Sequence, residues 1–204
     1  MDYRDYIKEE YCDAYVQERD NLTDGLIDVK CNLLFLKMCI ERDEIYRNNN
    51  LKKKNGIDLI VKKIYITVAW QLALQIKAFT DDNDKDCLTV NKFKNNIFKY
   101  IKEEKKDEYY TALGVIKKTL DWNKCEKLIA SISDYRNKVI GHNIVNAPEL
   151  TFDVNAAEFV IQQYERLFNV LSFQYRRYGE LATFLDNEVK KFIVVYLDAV
   201  LPLN

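Results

Sequence analysis

Five glycines and two prolines among 204 residues leave this chain few places to reverse tightly, and a strand-rich fold with many turns needs more of both. The expected architecture is therefore all-α, built from long helices. With 48% hydrophobic residues the chain can bury one substantial core and is too short for a second, so one domain over residues 1–204 is expected.

Periodicity divides that domain into elements. Residues 3–20 and 27–47 read as two amphipathic helices, the second carrying Leu33, Leu34, Leu36, Met38 and Ile40 up to the polar break Asn48-Asn49-Asn50. Asn55-Gly56 then turns the chain into its most apolar segment, Ile57 to Phe79, a central core helix in which Tyr65 and Trp70 read as packing residues. Asp58, Lys62, Lys63, Gln71, Gln75 and Lys77 interrupt it, so it lacks the unbroken apolar stretch of roughly 18 residues that a membrane span needs. The helix stops at Thr80, before the acidic loop Asp81 to Asp86. Asp82, Asp84 and Asp86 have the opening spacings of a calcium loop, but Cys87 stands in place of its glycine and Phe93 in place of its glutamate, which excludes calcium.

Helices are expected next at 90–103 and 107–120, and Asn123 with Glu126 reads as a capping box opening another. A second box, Asn155 with Glu158, opens a helix to Tyr178 with the stripe Val160, Tyr164, Leu167, Phe168, Leu171, Tyr175. Phe159, Val170 and Phe173 lie off that stripe and require a second helix or a second subunit to cover them. The β-branched run Phe192 to Leu197 suits a strand or a buried helix, and the length of the segment Glu188 to Leu201 favours helix.

Net charge is only −1, but it is unevenly spread. Residues 1–50 carry 7 basic and 12 acidic side chains, whereas residues 51–106 carry 13 basic and 7 acidic. Such asymmetry can give a near-neutral protein a phosphate-attracting face. Lys52, Lys53 and Lys54 with Lys62 and Lys63 form one basic cluster; Lys92, Lys94, Lys99 and Lys102, interleaved with Phe93, Phe98 and Tyr100, form another. Either also reads as a solvated helix face. Five irregularly spaced cysteines, no C-x-x-C pair and a single histidine do not assemble the usual zinc sets, and with no targeting segment at the start they fit a reducing cytoplasm. No glycine-rich phosphate loop is present, so no nucleotide cofactor is expected.

The one histidine, His142, closes the run Arg136-Asn137-Lys138-Val139-Ile140-Gly141-His142, and any imidazole chemistry must pass through it. Arg136 follows Ile132 by four residues, which aims a guanidinium along the same helix face as the apolar side chains. Such a charge needs a carboxylate, for which Glu41, Asp43, Glu44 and Asp134 are candidates, or a crevice that admits an anion. Gly141 is a natural helix stop from which His142 can reach back toward Arg136; on a continuing helix the two would stand about 9 Å apart along the axis and about 120° apart around it. The run also reads structurally, as a histidine at a helix C-terminus and an arginine in a core ion pair.

The stretch Ser131 to Ile144, SISDYRNKVIGHNI, resembles the signature of the HEPN superfamily, an Arg often followed by Asn and, four to six residues on, a His. The layout resembles most the abortive-infection type of bacterial antiviral HEPN protein. The resemblance implies a HEPN-like helical bundle and a metal-independent endoribonuclease, serving as a toxin or in antiviral defence. In that chemistry the RNA 2'-OH attacks the adjacent phosphorus and expels the 5'-oxygen, leaving a 2',3'-cyclic phosphate and a 5'-OH; Arg136, Asn137 and His142 would be catalytic, and Lys138 and Asn143 would touch substrate. His142 can serve as acid or base near neutral pH and Arg136 can clamp the phosphoryl oxygens. One imidazole per chain suggests a homodimer that pools two. An antitoxin partner is part of the same expectation, although Ile144 stands where some HEPN toxins carry the tyrosine that a partner nucleotidyltransferase modifies. The alternative is a non-catalytic HEPN module that binds nucleotide, RNA or a protein.

Overall fold

The computed structural model describes residues 2–48, 57–83, 87–141 and 152–200, and among them the fold is all-α. After two short 3-10 turns, Tyr3–Asp5 and Glu9–Tyr11, helix α1 runs without interruption from Cys12 to Asn48, roughly 55 Å at 1.5 Å per residue. It therefore joins what periodicity divided into two helices. The polar stretch around Asn21 and Gly25 does not break it, because Leu22, Leu26 and Val29 on either side are buried and fix the helix by packing. Gly25 itself is exposed, and a Cβ there would meet nothing within 4 Å. Gly25→Ala should raise stability by about 0.5–1 kcal/mol, read as a melting temperature higher by roughly 2–4 °C.

Helix α2 (Ile57–Thr80) ends where its pattern predicts; Thr80 returns its hydroxyl to the Ile76 carbonyl at 2.8 Å. Asp81 accepts from the Asn83 backbone at 3.1 Å, and Asp82 accepts from Thr89 and from Asn91, so this acidic turn serves as local scaffolding for the next helix. Among the described residues no group of three metal-ligating side chains assembles. Helices α3 (Val90–Tyr100), α4 (Lys106–Thr119) and α5 (Trp122–Gly141) follow. The start of α5 is capped by Asp121, whose carboxylate accepts from the Lys124 backbone at 3.0 Å, in place of the predicted Asn123 box. Helix α6 (Val154–Leu171) is likewise capped two residues earlier than predicted, by Asp153 accepting from the Ala156 backbone at 2.9 Å.

The predicted extension of α6 to Tyr178 is wrong, and the reason is a C-terminal cap without glycine. Phe173 and Gln174 adopt φ of 52° and 57°. The Gln174 N–H donates to the Asn169 carbonyl at 2.9 Å and the Phe173 N–H to Val170 at 3.2 Å, the bonding of a Schellman motif. Its left-handed first position is normally glycine; here it holds a phenylalanine that is 6% exposed. The Phe173 ring stacks on Tyr6 at 4.7 Å and lies 5.8 Å from Tyr15 and 6.2 Å from Tyr109. The Tyr15 hydroxyl donates to the Leu171 carbonyl at 3.1 Å, satisfying another group of that last turn.

After this corner come α7 (Arg176–Phe184), a wide π turn (Leu185–Val189) and α8 (Lys190–Val200), so the ambiguous β-branched run is helical. Helix α1 packs on α2 and α6, and α5 packs on the same two; α3 and α4 close over α6, while α7 and α8 lie on α1. One core runs from Ile7 and Tyr15 through Leu72, Ile76, Phe93 and Ile97 to Ile161 and Phe168. A smaller cluster of Met38, Cys39, Ile193 and Leu197 holds α8. The apolar excess of residues 155–178 is absorbed within the chain: Phe173 is in the core, and Phe159 and Val170 pack against it. Helices of the same chain thus cover much of that face, and Phe159 and Val170 stay partly exposed. Among the described residues no helix is long and apolar enough to cross a membrane.

Candidate functional site

The signature occupies the last turns of α5, a helix whose Cys125, Ile132 and Tyr135 are buried and whose Leu128 and Ile129 pack on the core. Two contacts fix those turns. The Tyr135 ring meets Phe152 edge-on at 5.1 Å, and the Tyr65 hydroxyl of α2 reaches the Phe152 carbonyl at 3.5 Å. Phe152, just before α6, thus packs on the residue that precedes Arg136. His142 and Asn143 lie outside the described residues, as does the predicted approach of His142 to Arg136.

Arg136 is only half-buried. The sequence places it on the stripe of Ile132, but Tyr135 takes the buried position and the guanidinium turns outward, because a charge retained in water avoids the desolvation that a core site would impose. Its Nε and Nη2 both donate to the Asn137 side-chain oxygen, at 3.2 and 2.6 Å. None of Glu41, Asp43, Glu44 and Asp134 pairs with it, so among the described residues the arginine has no carboxylate partner. Asn137 and Lys138 are exposed.

Chemically, one amide oxygen orients the guanidinium, while Nη1 and the Asn137 amide nitrogen have no partner among the described residues. A planar cation with outward-facing donors matches the oxygens of a phosphate, and among the described residues neither donor is consumed by a competing carboxylate. The structure thus joins Arg136 to Asn137 as a pair and leaves Lys138 as a solvated neighbour.

The basic clusters resolve differently. Lys52, Lys53 and Lys54 lie outside the described residues, and Lys62 and Lys63 are exposed on α2. The second cluster does not form one face: Lys92 donates to the Cys87 carbonyl at 2.7 Å, Lys102 to the Arg4 carbonyl at 2.8 Å, and Lys94 to Asn91 at 3.1 Å. Its aromatics are mostly structural, since Phe93 is buried and Phe98 stacks on Tyr110 at 5.3 Å. None of the five cysteines forms a disulfide, and burial pushes the thiols of Cys39 and Cys125 up to about 11, which disfavours nucleophilic thiolates there. The residues that sequence reading overlooks are Lys117 and Trp122, which meet Lys94 in a cleft described below; their separation along the chain hides the juxtaposition. Set against protein-family models, curated proteins and solved structures, the chain finds no match, and the reading of this site rests on its own residues.

Proposed function

We propose that the chain is a metal-independent HEPN-type endoribonuclease that acts on cytoplasmic RNA, in antiviral defence or as a toxin. The observation that supports this best is the guanidinium of Arg136, oriented by Asn137 near the end of α5 and meeting no carboxylate among the described residues. A purely structural arginine would be expected in an ion pair. In the proposed reaction His142 transfers the proton, Arg136 and Asn137 hold the non-bridging phosphate oxygens, and Lys138 and Asn143 contact the strand. Since the substrate supplies its own nucleophile, two proton transfers and one anion clamp are sufficient.

The test is incubation of the protein with total RNA in excess chelator. Cleavage that persists and leaves 2',3'-cyclic phosphate ends is the expected result, and strict dependence on added magnesium would overturn the mechanism. RNA binding without any cleavage would identify a non-catalytic binding module instead.

Attack and departure require a proton acceptor and a donor, yet each chain has a single imidazole. We therefore propose a two-fold homodimer in which both signatures line one cleft. Mixing wild-type with increasing His142→Ala subunits should make activity per total subunit fall with the square of the wild-type fraction. A linear fall would show that each chain works alone. An antitoxin, if the chain is a toxin, must act without modifying a tyrosine at position 144, which here is Ile144.

A further inference from the structure

Between α3, α4, α5 and α6 lies a cleft of about 160 Å³, separate from the Arg136–Asn137 pair. Helix α3 contributes Asn91 and Lys94, α4 contributes Lys117, α5 contributes Trp122 and Glu126, and α6 contributes Tyr164. Two lysines from different helices, Lys94 half-buried and Lys117 exposed, thus line one small space. Among the described residues neither makes an ion pair: Lys94 donates only to the Asn91 side-chain oxygen, at 3.1 Å, and Asn91 is itself held by Asp82 at 3.0 Å. Burial first, and then the charge of Lys117, push the Lys94 ammonium below its ordinary range, while Asp82 opposes them. Bringing like charges together in a partly enclosed site costs energy unless an anion offsets it.

The size and charge of the cleft define what it can take. It has room for one phosphate-sized group beside the indole of Trp122, which is fixed edge-on against Tyr164 at 5.5 Å. Among the lining residues two lysines stand against the one carboxylate of Glu126, which favours an anion at the wall of the cleft, with Asp82, held to Asn91, within electrostatic reach of Lys94. The cleft also lies in line with the signature. Ile129, which lines it, and Arg136 are seven residues apart on α5, nearly two turns, which places them on one helix face roughly 10 Å apart along the axis.

We propose that this cleft is a phosphate-binding subsite in which Lys94 and Lys117 hold a phosphate group, in the first instance a backbone phosphate of a strand whose neighbouring segment reaches Arg136. The assignment to a nucleic-acid strand rests on the endoribonuclease reading; the binding of a phosphate group does not. Lys94 and Lys117 act here as ligand contacts, outside the proposed proton transfers.

The experiment follows Trp122 fluorescence in a Trp70→Phe background, which leaves Trp122 as the only indole. Two probes are titrated at constant ionic strength: a short single-stranded RNA with its 2'-hydroxyls blocked against cleavage, and inorganic phosphate with chloride as the control. The blocked RNA should bind with a response that Lys94→Gln/Lys117→Gln weakens at least about tenfold, with a salt dependence shallower by about one to two phosphate contacts. Lys94→Arg/Lys117→Arg should retain binding, and circular dichroism should show unchanged helicity in both. A lysine-dependent response to phosphate but not to RNA would uphold the subsite and overturn the RNA reading. RNA that binds equally well to the Gln double variant would overturn the subsite while leaving the RNA reading intact. No response of Trp122 to either probe would overturn the subsite outright.

Discussion

Replacing Arg136 or His142 with alanine is expected to lower RNA cleavage by at least about 10²-fold each, with helicity and melting temperature almost unchanged. The asymmetry between the two readouts follows from the position of Arg136. Its guanidinium is outside the core, so removing it opens no cavity, and among the described residues its only side-chain partner is the exposed Asn137. A positioned acid or base contributes about 10²–10⁴ to rate, and one donor to a developing oxyanion about 10²–10³. Arg136→Lys discriminates further: a single ammonium cannot reproduce the bond pattern in which two guanidinium nitrogens share the Asn137 oxygen, so most of the loss should persist. The measurement is initial cleavage rate in chelator alongside thermal melting. Comparable losses of rate and of fold would show that the run is structural.

The largest effect on stability is expected at Phe173. Phe173→Ala should cost about 3–5 kcal/mol, because the ring closes a stack shared by Tyr6, Tyr15 and Tyr109 and smaller side chains leave that space empty. Most domains are stable by only about 5–15 kcal/mol, so this single truncation removes a large share. The glycine variant reverses the usual ranking. Phe173→Gly loses the same ring but relieves the left-handed backbone, and should be more stable than Phe173→Ala by about 1 kcal/mol. Urea denaturation of the three proteins measures both differences. A glycine variant less stable than the alanine variant would show that backbone strain is absent at this corner.

The same residue marks where sequence reading loses its hold. Helix α2 was legible because its apolar run is long and ends at a polar turn, and α3 and α4 were legible to within a few residues for the same reason. The end of α6 was not, because the usual signal for a C-terminal cap is glycine, and here burial of an aromatic ring outweighs the cost of a positive φ. The division of α1 failed in the opposite direction: a weak local propensity around Gly25 was overridden by packing of Leu22, Leu26 and Val29, which no local window contains. At the candidate site the residue types were readable but the direction of Arg136 was not, since four-residue spacing gives a face and not the path of a long side chain. The cleft of Lys94 and Lys117 was invisible for a simpler reason. It is formed by helices far apart in sequence.

Helix α8 gives the molecule two tiers of cooperativity. It is attached to α1 through the four-residue cluster of Met38, Cys39, Ile193 and Leu197 and through the ion pair between Arg42 and Asp198, while the main core continues without it. Its other face, with Phe192 and Val195, is exposed. The energy to lift α8 away is therefore small beside that needed to separate α1 from α2 and α6, and amide protons in α8 would exchange through a local opening that leaves the remainder intact.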